Sequence, residues 1–207
     1  MINYFNLRNI LLKKPEHTIS ILLIKIGVTA NILTILGFLL AILAGFFIVS
    51  NNLVLGGIFL LISSIFDMLD GAIARVSKTT SLFGAFLDST LDRISEFLIF
   101  SSILIYYLVN DSKTSTSNII PIILCVTSIG TSFLVSYTRA RAESLQIKCT
   151  VGIFTRAERI IVLFLGIMLS PIVIIDTIVV SLAIITILSF ITIIQRIIYT
   201  QKHLEPN

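Results

Sequence analysis

Four aspartates and one arginine are the residues of this sequence best suited to chemistry, and they share one stretch. It reads Asp67-x2-Asp70-Gly71-x2-Ala74-Arg75-x8-Gly84-x3-Asp88-x3-Asp92. On helices, Asp67 and Asp70 stand at i,i+3 and Asp88 and Asp92 at i,i+4, so each pair lies on one helix face. Two such pairs on adjacent helices would converge on hard divalent cations, which prefer oxygen ligands. Gly71 and Ala74 leave the backbone bare beside the first pair, and Gly84 shares a face with Asp88 and Asp92. A metal and an arginine beside bare glycine backbone is how proteins hold a diphosphate.

The elements that must position these residues are membrane helices. The chain has 207 residues, 56% of them hydrophobic, with a mean hydropathy of +1.05. Several apolar runs are long enough to cross about 30 Å of hydrocarbon. Apolar residues fill both faces of each run, which fits helices and not a membrane barrel. The expected fold is an all-α integral membrane protein. It forms a single domain over 1–207, with an N-terminal interfacial segment (1–27) and a six-helix bundle (28–201). The spans are expected at about 28–49, 53–74, 83–108, 119–142, 157–174 and 177–194, with Pro171 kinking or weakening the end of the fifth. Residues 2–27 suggest an amphipathic surface helix with Lys13 and Lys14 toward headgroups, followed by a short apolar segment. Residues 1–14 lack a cleavage site and are not expected to be a signal peptide. Asn31 and Thr34 sit just inside the first span, placed to cap it or to reach a ligand at its mouth.

Charge gives the orientation. With the N-terminus inside, fourteen of the fifteen Lys and Arg fall on the inner side and only Lys113 outside. The positive-inside rule then puts both termini, and the aspartate cluster, on the cytoplasmic side. Cys125 and Cys149 lack metal-ligand spacing and read as a buried thiol and an incidental loop thiol. His17 and His203 carry no expected role.

Plainer readings of the aspartates fit less well. A charged side chain at the bilayer centre costs roughly 2.5–3.5 kcal/mol, so four cost about 10–14 kcal/mol as an upper bound. Solvated loop residues would not run directly into apolar spans. Ion pairs with Arg75 and Arg93 would neutralise only two of the four. An ion path in a transporter is a remote alternative.

The full motif resembles the signature of the CDP-alcohol phosphotransferases, and the likeness covers the whole chain. Within that family the sequence is most similar to the phosphatidylinositol-phosphate synthases and their archaeal ether-lipid counterparts. That closer likeness rests on Phe66 to Gly71, Asp92-Arg93-Ile94-Ser95, Ser136-Tyr137-x2-Ala140-Arg141-Ala142-Glu143 and Arg156-x-Glu158-Arg159. The resemblance implies that Asp67, Asp70, Asp88 and Asp92 bind two divalent ions, Mg²⁺ or Mn²⁺, with Asp92 as general base. It implies a CDP-lipid site at Asn31, Ile32, Leu33, Thr34, Gly71, Ala74, Arg75 and Ser81. The donor would be CDP-diacylglycerol or CDP-archaeol, and the acceptor hydroxyl would attack the β-phosphorus and expel CMP.

Inositol 1-phosphate is the expected acceptor, with glycerol 3-phosphate or serine as the alternative. Arginine forks suit phosphate, and the resemblance assigns the acceptor phosphate to Arg139, Arg156 and Arg196, with Arg159 next. Arg139 and Arg141 cannot share a helix face, so at most one enters the site. Glu143 and Glu158 are expected to pair with one or two of these arginines. The implied setting is the plasma membrane, multi-pass, as a homodimer among membrane lipids and with no nucleic-acid partner.

Overall fold

The computed structural model describes residues 18–77, 80–109 and 119–204, all helix and connecting turns. Helix α1 covers residues 18–25. It is followed by α2 (Ala30–Val49), α3 (Leu53–Ser77), α4 (Leu82–Val109), α5 (Ile119–Ser144), α6 (Arg156–Leu169) and α7 (Thr177–Leu204). The expected surface helix and the loop at 110–118 lie mostly or wholly outside the described residues, apart from α1.

Three of these helices stop by one device. Gly27, Asn51 and Gln146 have φ of 82°, 61° and 62°. After α1, Val28 N donates to Leu23 O and Gly27 N to Ile24 O, both at 3.0 Å. Asn52 to Phe47 and Ile147 to Ala142 repeat the longer bond after α2 and α5. This is the Schellman closure, which satisfies the last carbonyls of a helix.

Four helices, α2, α3, α5 and α7, are long and apolar enough to cross a membrane by length and composition. Helix α4 has 28 residues but carries Asp88, Asp92, Arg93 and Glu96. The fifth expected span is shorter than the sequence suggested. Helix α6 has 14 residues, or about 21 Å at 1.5 Å per residue. It ends at Leu169 instead of running on to 174: Ser170 is still helical, but Pro171 has no N–H to carry the ladder further and its ring crowds the carbonyl one turn back. At the other end α7 runs past the expected Ile194 to Leu204.

The chain divides into two compact units, Met1–Leu43 with Phe59–Ser95, and Ala44–Ile58 with Glu96–Asn207. In the first, Leu33, Leu69 and Ile73 form a buried cluster. Leu23, Ile24, Val28, Ala30 and Phe66 pack against it. Ser63 Oγ donates to Gly37 O at 2.8 Å, so α2 and α3 meet backbone to side chain. Small residues that let helices approach, and hydroxyls that bond across them, are the usual means of association in lipid.

The second unit uses the same means. A Cβ at Gly166 would lie 2.1 Å from Ser181 Oγ, and Thr177 Oγ1 donates to Gly166 O at 2.6 Å. Ser128 and Thr186 hydroxyls meet at 3.0 Å between α5 and α7. Asp176 caps α7, accepting from Val179 N at 3.2 Å, and also receives Tyr107 OH at 2.7 Å. Both cysteines are buried, including Cys149 in its loop, which is therefore a packed residue and not an incidental one.

Candidate active site

In the first unit, α3 delivers Asp67 and Asp70 and α4 delivers Asp88. One carboxylate oxygen from each of the three lies within 4.8 Å of the others. A divalent ion with oxygen ligands at about 2.1–2.4 Å holds them no more than about 4.8 Å apart, so the donor set fits such an ion. Asp92, one turn further along α4, is outside this triad.

Asp70 is buried, and Thr34 Oγ1 donates to its Oδ2 at 2.6 Å. The hydroxyl also lies 3.1 Å from Ala30 O. Thr34 thus orients one carboxylate oxygen and leaves the other for coordination, the part that hydrogen-bonded outer residues play around metals.

A cavity of about 220 Å³ opens beside the triad. Asn31, Thr34, Gly71, Ala74, Arg75 and Ser81 line it, together with Asp70 and Asp88. These are six of the eight residues expected to hold the nucleotide. Ile32 and Leu33 do not line it. A helix turns about 100° per residue, so Asn31 and Thr34 share the cavity face while Leu33 turns into the buried core. Ile32 remains exposed.

The walls suit a phosphate-bearing ligand. Arg75 Nη1 would lie 3.2 Å from a Cβ at Gly71, so the guanidinium extends over bare backbone one turn away. Ser81 caps α4, its Oγ accepting from Gly84 N at 2.9 Å. That start of a 28-residue helix contributes positive dipole to the cavity wall. The lining also includes Ala30, Thr80 and Ala85, which the sequence reading did not single out. The serine directly before an apolar run was the available signal for the cap.

The second unit holds the four expected acceptor arginines, each in a different setting. Arg139 is half-exposed and pairs with Glu143, Nε to Oε1 at 2.9 Å. Arg156 opens α6. Arg159 is buried and grips Glu96 at two points, Nε to Oε1 at 2.6 Å and Nη2 to Oε2 at 3.0 Å. Arg196 is buried and donates from Nε to Val151 O at 3.0 Å and from Nη1 to Val135 O. Arg196 therefore also anchors the loop before α6, with Thr192 Oγ1 and Gln195 Oε1 accepting from Phe154 N and Ile153 N.

The expected Glu143 pairing is present. Glu158 accepts from Thr155 N at 2.8 Å, the reach-back half of a capping box. Arg141 turns away from Arg139 and lines a separate groove with Arg196 and Tyr137. Glu96 was missed, although it continues the four-residue spacing of Asp88 and Asp92 along α4.

Comparison with known proteins adds to this geometry. A family model described as CDP-alcohol phosphatidyltransferase matches residues 27–200. The archaetidylinositol phosphate synthase of Pyrococcus horikoshii is 38% identical over 161 residues, 77% of this chain and 80% of the relative. The crystal structure of Mycobacterium tuberculosis phosphatidylinositol phosphate synthase with CDP-DAG bound superposes with a TM-score of 0.78 at 28% identity. It covers 89% of this chain and 92% of that one. The same protein in complex with manganese and citrate gives a TM-score of 0.79 at 28% identity, covering 90% and 88%.

Proposed function

The chain belongs to the CDP-alcohol phosphatidyltransferase family, and on that premise we propose that it transfers a phosphatidyl or archaetidyl group from a CDP-lipid to inositol 1-phosphate, releasing CMP. The observation that carries this is the convergence of Asp67, Asp70 and Asp88 beside a cavity that also holds Arg75 and Gly71. An ion-conducting path has no comparable use for an arginine over bare backbone beside the carboxylates.

The enzyme works with a divalent metal such as Mg²⁺ or Mn²⁺, two ions in this reading. Bound by Asp67, Asp70, Asp88 and Asp92, the ions would neutralise the diphosphate and the departing CMP. Every other step falls to the chain. Arg75 and the start of α4 hold phosphate oxygens. Asn31, Thr34, Gly71, Ala74 and Ser81 bound the nucleotide. Leu33 supports that wall from the buried core, and Ile32 lies on the exposed side of the same helix. Arg139, Arg156, Arg159 and Arg196 hold the acceptor phosphate. Asp92 orients the acceptor hydroxyl and takes its proton. The hydroxyl oxygen bonds to the β-phosphorus as the bond from that phosphorus to CMP breaks.

The same reading completes the setting. The chain is one domain with six membrane-crossing helices, of which α4 and α6 would cross with help from neighbours. Both termini and the site face the cytoplasm at the plasma membrane, by the distribution of Lys and Arg. A homodimer is the proposed assembly.

The test is CMP release by the purified full chain with Mn²⁺, CDP-diacylglycerol or CDP-archaeol, and a panel of acceptors. Release only with inositol 1-phosphate is the expected result. Release with glycerol 3-phosphate or serine instead would reassign the acceptor, and no release with any acceptor would overturn the reading.

A further inference from the structure

Buried ion pairs contribute little net stability, because removing two charges from water costs about as much as their attraction returns. One that spans a membrane protein's interior therefore raises the question of what else it does. Arg159 is among the largest fully buried side chains, with 1% of its surface exposed. Glu96 takes two of its three nitrogens, Nε and Nη2. The third, Nη1, is buried and has no hydrogen-bond partner among the described residues. A buried donor left unmade is costly, and more so where it carries charge. That cost is recovered when a ligand oxygen meets it.

The surroundings point to the sign of that ligand. Arg196 feels the charges of both Arg139 and Arg159. Within this group Glu96 and Glu143 supply two carboxylates against three guanidiniums. The excess is positive, and a guanidinium held at two points presents its remaining N–H groups in a fixed direction. An anion with several oxygens satisfies both the excess charge and the unmade donor.

We propose that Glu96 is a positioning residue for the acceptor: it clamps Arg159 by Nε and Nη2 so that Nη1 is preset to donate to the acceptor's phosphate. This rests on the phosphorylated acceptor of the preceding section and adds a residue that the family motif does not include. Glu96 does not touch substrate. It restricts a flexible arginine to one geometry before the acceptor arrives, which removes an ordering cost from binding.

The experiment uses the full chain in detergent, with two readouts. The first is CMP release, giving KM separately for inositol 1-phosphate and for CDP-diacylglycerol. The second is thermal stabilisation by inositol 1-phosphate alone, which needs no turnover. Glu96→Gln keeps the shape and loses the charge. Its KM for inositol 1-phosphate should rise about tenfold or more, with KM for CDP-diacylglycerol within about twofold and the stabilisation by inositol 1-phosphate lost. The double variant Glu96→Arg with Arg159→Glu restores an ion pair in reverse. It should regain thermal stability and not the acceptor KM, because a carboxylate would now face the phosphate.

An unchanged acceptor KM in Glu96→Gln, equal rises in both KM values, or a reversed pair with normal acceptor KM would each overturn the proposal. Should Glu96→Gln fail to fold, Glu96→Asp decides. The shorter carboxylate should raise the acceptor KM alone, and no rise would count against the clamp. A wild-type chain stabilised by inositol 1-phosphate without releasing CMP would defeat the acceptor reading and leave the binding arm to judge the clamp. A wild-type chain showing neither would defeat both.

Discussion

The two units gather charge in opposite ways. The first crowds three carboxylates so closely that oxygens from Asp67, Asp70 and Asp88 lie within 4.8 Å of one another. The second spreads its arginines, giving Arg139 to Glu143, Arg159 to Glu96 and Arg196 to two carbonyls. Like charges at such distances repel strongly in a medium of low dielectric, so the first arrangement favours a bound cation. The second is wired in advance and needs its ligand only to complete it. On the proposed reading one unit collects a metal and the other recognises an anion, and their sensitivities to change should differ accordingly.

The largest effect should come from breaking the acidic side. Asp70→Asn keeps the shape and the Thr34 contact while removing a charge from the triad. A metal contributes several kcal/mol to stabilising charge in the transition state, and about 1.4 kcal/mol is a factor of ten in rate. CMP release should therefore fall about a thousandfold. Chelation of the wild type should abolish the activity and Mn²⁺ should restore it. In Asp70→Asn, added Mn²⁺ should not. A variant that retained more than a tenth of the activity would break the comparison on its acidic side.

A smaller effect is expected at the cavity wall. A Cβ at Gly84 would lie 2.9 Å from Ser81 Oγ and 3.2 Å from Asn31 Oδ1. Gly84→Ala therefore displaces the serine that caps α4 and crowds the asparagine at the cavity face. An N-cap is worth about 1 kcal/mol, and the ligand loses room as well. KM for the CDP-lipid should rise about tenfold, with the acceptor KM unchanged. Movement of the acceptor KM by the same factor would mean that the two substrates share this wall.

The donor side was legible in the sequence because its chemistry is local. Asp67, Asp70, Gly71, Ala74 and Arg75 occupy two turns of α3, and Gly84 and Asp88 the start of α4, so helical spacing alone brings each set to one face. Asn31 and Thr34 stood out as polar groups just inside an apolar span, and both line the cavity. Ile32 and Leu33 were carried along with them, although the residues between two cavity-facing positions turn elsewhere, Leu33 into the core and Ile32 outward. The arginine side was less legible because its partners are distant in sequence. Sixty-three residues separate Glu96 from Arg159, and forty-five separate Val151 from Arg196. The helices were placed well where apolar runs were uninterrupted. They were misjudged where backbone rules prevail, as at Pro171, which stops α6 five residues early.

The smallest effect should separate the two glutamates that face arginines. Glu143 pairs with Arg139 one turn away on α5, with side chains 46% and 53% exposed. Exposed i,i+4 pairs are worth only about 0.3–0.5 kcal/mol, so the arginine gives up its partner to an incoming phosphate at little cost. Glu143→Gln should leave thermal stability nearly unchanged and should not raise the acceptor KM, since the freed Arg139 remains available. Glu96 stands at the other extreme, 9% exposed against an arginine at 1%. Measured together in one background, Glu143→Gln and Glu96→Gln should differ by about tenfold or more in acceptor KM. Equal effects would mean that burial does not divide these arginines into held and free.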